Sequence, residues 1–313
     1  MNLKSGLVIA GSAIAFLGAA HAAPTPIDKP TTIDLPGTYV VVVPIDAAGG
    51  VALTIRADSV TVNLDGFVVR GDVVLLPART GTQRIVLEQG RIEGKLERAF
   101  DPNRPPLDPR PTALRLSEVS GFAGGIRLDA CREFVVRGSR VDGSVVINPN
   151  ASTAYADVAD SAFTRNVDLG SLDGSVVRGS AFLGNLTLRR GSGLTNRANL
   201  VERNSFWRWS GIVHLPCTNC LTTIGDTVAD NVAAFIHVSS GGNAVRRNSI
   251  RNGTIAVSGS RNTIEGNAVQ GPGFGLVFDG DANTYRENVL RNNELGAVQD
   301  NGTGNLDAGG NVR

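Results

Sequence analysis

The stretch NTIEGNAV, residues 262–269, has two asparagines five apart, each followed two places later by an apolar residue. The same phrase returns as NTYRENVL from Asn283, NAVRRNSI from Asn243 and NLVERNSF from Asn199. With the second asparagine as a marker, copies fall at Asn204, Asn248, Asn267 and Asn288, and LTTIGDTV supplies Asp226 between the first two. Weaker copies place Ser180, Ser161, Ser139, Gly90 and Gly66 at that position, and the copy near Glu118 is poorly formed. A period of about 20 residues means one structural unit stacked many times.

Each unit carries short alternating runs such as IRL, VDL, LTL, VHL, IHV and IAV. Alternation is strand periodicity with one face buried. Asn, Asp, Ser and Gly at the marker suit a sharp bend, because Asn and Asp tolerate left-handed backbone and bond neighbouring backbone groups. Stacked bends also set amide above amide, so each can bond to the next. The pattern predicts an all-β parallel solenoid of about eleven windings, rising ~4.8 Å per winding. A leucine-rich repeat shares the period but needs a leucine ladder and a helical segment, and neither is visible.

The run LPGTYVVVVPIDAAGGVALTIRADSVTVNLDGFVVRG, residues 35–71, resembles the opening of bacterial right-handed parallel β-helix repeat proteins of the pectate-lyase-like superfamily. SVTVNLDGFVVRG is its most specific part, and the later asparagine phrases resemble the coils of the same family. The resemblance implies a right-handed three-sheet β-helix over nearly all of the chain after residue 22. It implies no single activity, since the superfamily holds lyases, hydrolases, epimerases and binding proteins.

The first 22 of the 313 residues read as a signal peptide: a short basic start, an apolar run and the A-x-A site Ala20-His21-Ala22. Residues 23–50 read as an N-terminal cap and 51–313 as the β-helix, interrupted by a proline-rich loop at 101–111. A secreted or periplasmic bacterial protein is expected, with no membrane span, because no later segment approaches the ~20 apolar residues a span needs. Without Lys4 the charge is 29 − 29 = 0, which argues against a general affinity for nucleic acid.

Function then belongs to an outward face. The strand roughly eight residues past each marker presents Arg127, Val146, Asp168, Thr187, His214, His237, Ala256 and Val277 outward. Asp129, Arg189 and Asp279 stand two places further on. Asp168, Arg189, His214 and His237 are thus candidates for acid, base or carboxylate-gripping roles on consecutive coils. The two histidines would lie ~5 Å apart. Arg127, Asp129, Arg190 and Asp279 are candidate substrate contacts, with a divalent cation beside the acids as an option. Trp207 and Trp209 are the only tryptophans, and exposed indoles stack on sugar rings. Cys217 and Cys220 form C-x-x-C, read as a short disulfide in an exported chain. Cys131 reads as a buried apolar residue.

The partner expected is an extracellular or envelope polysaccharide, bound or processed by a lyase, hydrolase or epimerase. The alternatives are a non-catalytic glycan-binding or scaffolding solenoid, and exported metal handling through His214, His237, Cys217 and Cys220.

Overall fold

The computed structural model describes residues 23–76, 82–98, 111–129, 131–148, 155–190, 198–207, 209–215 and 225–313. The signal-like segment and the core of the proline-rich insertion lie outside the described residues. Every strand among them pairs in parallel, and the described chain is all-β, without helices. It winds as a right-handed parallel β-solenoid with three sheets.

One coil shows the logic. Ala244–Arg246 lies in sheet 1, Ser249–Arg251 in sheet 2 and Ile255–Val257 in sheet 3. The next coil repeats this with Thr263–Glu265, Ala268–Gly271 and Phe274–Phe278, each paired to its predecessor. Inward residues such as Val245, Ile250, Ile255 and Val257 are fully buried. Burying each such side chain stabilises by about 1.5–3 kcal/mol. β-Branched residues dominate because they fit a pleated surface packed from one side. The earliest windings already belong to the ladder: Thr25–Ile27 pairs with Tyr39–Val41, and Thr31–Ile33 with Leu53–Ile55.

Two buried polar ladders flank sheet 1. One runs Ser175, Asn199, Asp226, Asn243, Asn262, Asn283, Asn305, each backbone N–H donating to the next side-chain oxygen at 2.8–2.9 Å. The other runs Ser139, Ser161, Ser180, Asn204, Asn231, Asn248, Asn267, Asn288, Asn311 in the same manner. Asp226 therefore belongs to the first ladder, and Asn231 holds the marker position that the repeat reading gave to Asp226. Asp226 and Asn231 are themselves five apart, so DTVADNVA is the missing copy of the phrase. The bend also differs from expectation. The left-handed residue is the one before the marker: Asp160, Arg203, Asp230, Arg247 and Glu287 all have φ between 50° and 57°. Such a conformation costs roughly 1–2 kcal/mol per residue. The marker side chain, bonded into the ladder, holds it in place.

At the earlier markers the ladder gives way to close backbone packing. A Cβ on Gly90 would lie 2.4 Å from the Leu64 Cβ, so glycine is required there. Val119 follows Gly90 in register, and its N–H reaches the Ser139 hydroxyl at 3.1 Å.

Candidate functional site

Sheet 3 carries the polar strip expected from the sequence, with one change of register. Its outward row runs Glu97, Arg127, Val146, Asp168, Thr187, Val213, His237, Ala256, Val277. His214 is not in it. Its backbone pairs with Leu188 and Val238, both inward and buried. The run Ile212-Val213-His214-Leu215 is apolar at three of four places, so alternation alone cannot choose a phase. The preceding turn chooses it: Asn185 Oδ1 accepts the Gly211 N–H (3.1 Å), and Ile212 N–H reaches the Phe235 carbonyl (3.1 Å). That sets Ile212 inward, and a one-residue slip exchanges the two faces. By backbone register His214 stands one place along from the position that pairs with His237.

Asp168 and Arg189 do meet. Arg189 Nε and Nη2 donate to the two Asp168 carboxylate oxygens at 3.1 and 2.7 Å. This bidentate pair fixes the carboxylate as an acceptor and orients the guanidinium, which keeps further N–H donors. His237 Nε2 lies 3.2 Å from the Ser258 hydroxyl. Arg127 and Asp129 form a loose ion pair at 3.8 Å along one strand. Asp279 accepts from Asn301 Nδ2 at 2.8 Å, far along the axis from Asp168. Arg190 is placed by its backbone opposite Leu172. Cys217 and Cys220 lie outside the described residues. Among the described residues no three metal-ligating side chains gather in one place, and no helix is long and apolar enough to cross a membrane.

The proline-rich insertion joins the sheet 3 strand Lys95–Arg98 to the sheet 1 strand Thr112–Gly121. Cys131 is fully buried, and burial pushes its thiol up to about 12. Arg98 Nη1 donates to the Asp129 carbonyl (2.9 Å), and burial lowers its pKa from the ordinary value. Cys131 should thus resist alkylation at pH 8 in the native fold and react only on unfolding, with peptide mapping as the readout. Labelling at the rate of an exposed thiol would contradict this packing.

The tryptophans stand on a different side from the polar strip's centre. Sheet 2 strands Ala162–Phe163, Ala181–Phe182 and Ser205–Phe206 stack side by side. Phe163, Phe182 and Phe206 point inward and stack, with ring centroids 5.1 and 4.9 Å apart. The next residue on each strand is Thr164, Leu183 and Trp207, whose N–H groups bond the coil before. Leu183 is 50% exposed, Trp207 64% and Trp209 70%. The chain then turns toward sheet 3, with Ser210 N–H bonded to the Trp207 carbonyl and Ser210 Oγ to the Leu183 carbonyl. Leu183 went unremarked in the sequence. Its signal was the repeat itself, since one coil separates it from Trp207.

Comparisons with protein-family models, with curated proteins and with solved structures found no match to this chain.

Proposed function

We propose that this is an exported glycan-binding solenoid of the pectate-lyase-like type, and that its contact surface is the corner formed by Leu183, Trp207 and Trp209. The observation that carries this reading is the exposure of both indoles beside an exposed leucine on the adjoining coil. A soluble protein gains nothing in stability from indoles left in water, and contiguous exposed apolar surface marks interaction sites. An aromatic face offers a sugar ring a flat apolar platform, and the indole N–H a donor. The leader-like first 22 residues support export, where polysaccharides are found.

Binding rather than turnover is favoured by the state of sheet 3. Asp168 and Arg189 are already paired with each other, and the His214 backbone is out of register with His237. Trp207→Ala and Trp209→Ala should each weaken retention on immobilised polysaccharide about tenfold while leaving the thermal unfolding midpoint nearly unchanged. Unaltered retention in both variants would defeat the reading. Release of reducing ends or unsaturated sugars, abolished by Arg189→Ala, would transfer the function to sheet 3 as an enzyme.

A further inference from the structure

Sheet 2 continues past the tryptophans, with Ala234 buried beside Ser210 and a register shift after Val269. Its inward residues Phe206, Ala233, Ile250, Val269 and Leu290 occupy successive coils. The residues immediately after them are Trp207, Ala234, Arg251, Gln270 and Arg291. Trp207, Arg251 and Arg291 each follow the inward residue on every second coil, roughly 10 Å apart along the axis at the strand spacing, with Arg291 at the register shift after Val269. Small or uncharged residues separate them. The neighbouring outward column is Ser205, Val232, Ser249, Ala268 and Val289, which keeps the floor low. Neither column contains a carboxylate over this stretch. Arg251 and Arg291 are exposed and have no ion-pair partner among the described residues, unlike Arg189, Arg247 and Arg286.

An unpaired guanidinium is a fork for a planar carboxylate or a sulfate. Two of them at a two-coil interval, in line with a stacking platform, read out charge spacing along an extended chain. We propose that sheet 2 binds an acidic polysaccharide whose negative groups recur once per disaccharide, with one sugar stacked on Trp207 and successive acid groups at Arg251 and Arg291. This rests on the glycan reading above and adds the charge and periodicity of the polymer. A polymer charged on every sugar would place a second acid beside Ala234 and Gln270, where no cation answers it.

Affinity electrophoresis tests it with three probes: hyaluronan, which is charged on alternate sugars; polygalacturonate, charged on every sugar; and a neutral β-glucan. Hyaluronan should be retained most strongly. Arg251→Ala and Arg291→Ala should each weaken that retention about fivefold, as expected of exposed ion pairs. The loss should shrink at high salt, since exposed charges are screened. Both side chains are exposed, so the variants should melt with the wild type. Equal or tighter binding of polygalacturonate overturns the spacing. Retention of hyaluronan or β-glucan that depends on Trp207 but not on either arginine overturns this proposal and leaves the glycan reading standing. Failure of all three probes to bind defeats both.

Discussion

Asn267→Ala should cost this protein about 3–5 kcal/mol, because it strips four hydrogen bonds from a dry ladder at ~1 kcal/mol each, with a further penalty for stranded groups. Asn267 is fully buried. Its Oδ1 accepts from the Asn248 backbone N–H at 2.9 Å and from Asn248 Nδ2 at 3.0 Å. Its Nδ2 donates to the Val245 carbonyl and to Asn288 Oδ1, both at 3.0 Å. Alanine leaves the Asn248 donors facing a methyl group. Denaturant titration should show a lower midpoint. Asn301→Ala is the control, since Asn301 is exposed and its side chain bonds only the exposed Asp279, as donor, and Gln299, as acceptor. That variant should stay within about 0.5 kcal/mol of the wild type. A loss below about 1 kcal/mol for Asn267→Ala would mean that water or backbone relaxation replaces the ladder.

Asn267→Asp sharpens the test. It keeps the accepting oxygen and replaces the donor by a second oxygen aimed at Asn288 Oδ1 and the Val245 carbonyl. At neutral pH it should be at least as damaging as alanine, because a buried charge adds desolvation to the lost donor. Protonation restores a donor, so burial raises the folded-state pKa of the new group. The variant should gain stability relative to wild type as pH falls through that raised pKa. Asp226 shows that a carboxyl can hold the accepting half of the role, since it takes the Asn199 N–H at 2.8 Å.

Phe182→Ala should be of similar size, about 3–5 kcal/mol for a large buried aromatic cut to alanine. Phe182 sits between Phe163 and Phe206, with interplanar angles of 9° and 12°. Its removal opens a cavity and breaks both stacks, each pair contributing about 0.5–1.5 kcal/mol beyond area burial. The Phe182 ring stacks on Phe206, the residue before Trp207, so the exposed corner stands on this ring. Glycan retention should therefore fall together with stability, whereas Trp207→Ala lowers retention alone. Phe182→Leu should recover much of the loss. A stable Phe182→Ala protein with unchanged melting would show that the column repacks freely.

The fold was legible because the solenoid is nearly one-dimensional. Each coil meets only its neighbours, so the demands on position Asn248 are those on Asn267 and Asn288, and the sequence states them repeatedly. Even the misplacement of Asp226 came from a shortage of local information. Aspartate fits either ladder, and the intervals between markers vary from 17 to 27 residues around it. The site was less legible, because it depends on phase within a strand and on which residues an insertion displaces. Ile212-Val213-His214-Leu215 can be read in two phases, and bonds from Asn185 and Phe235, on the adjoining coils, select between them.

From the amino acids alone came the winding, the inward and outward alternation, the asparagine ladders and the candidacy of Asp168, Arg189 and the two tryptophans. Those are properties of residue type at a repeated interval, and the interval survives without coordinates. Only the tertiary structure decided that Asp168 and Arg189 pair with each other, that the His214 backbone is out of register with His237, and that Leu183, Trp207, Arg251 and Arg291 share one flank. Lateral neighbours in a solenoid are fixed by the exact length of every intervening turn. A single inserted residue moves a side chain from solvent to core, and no local pattern records the sum.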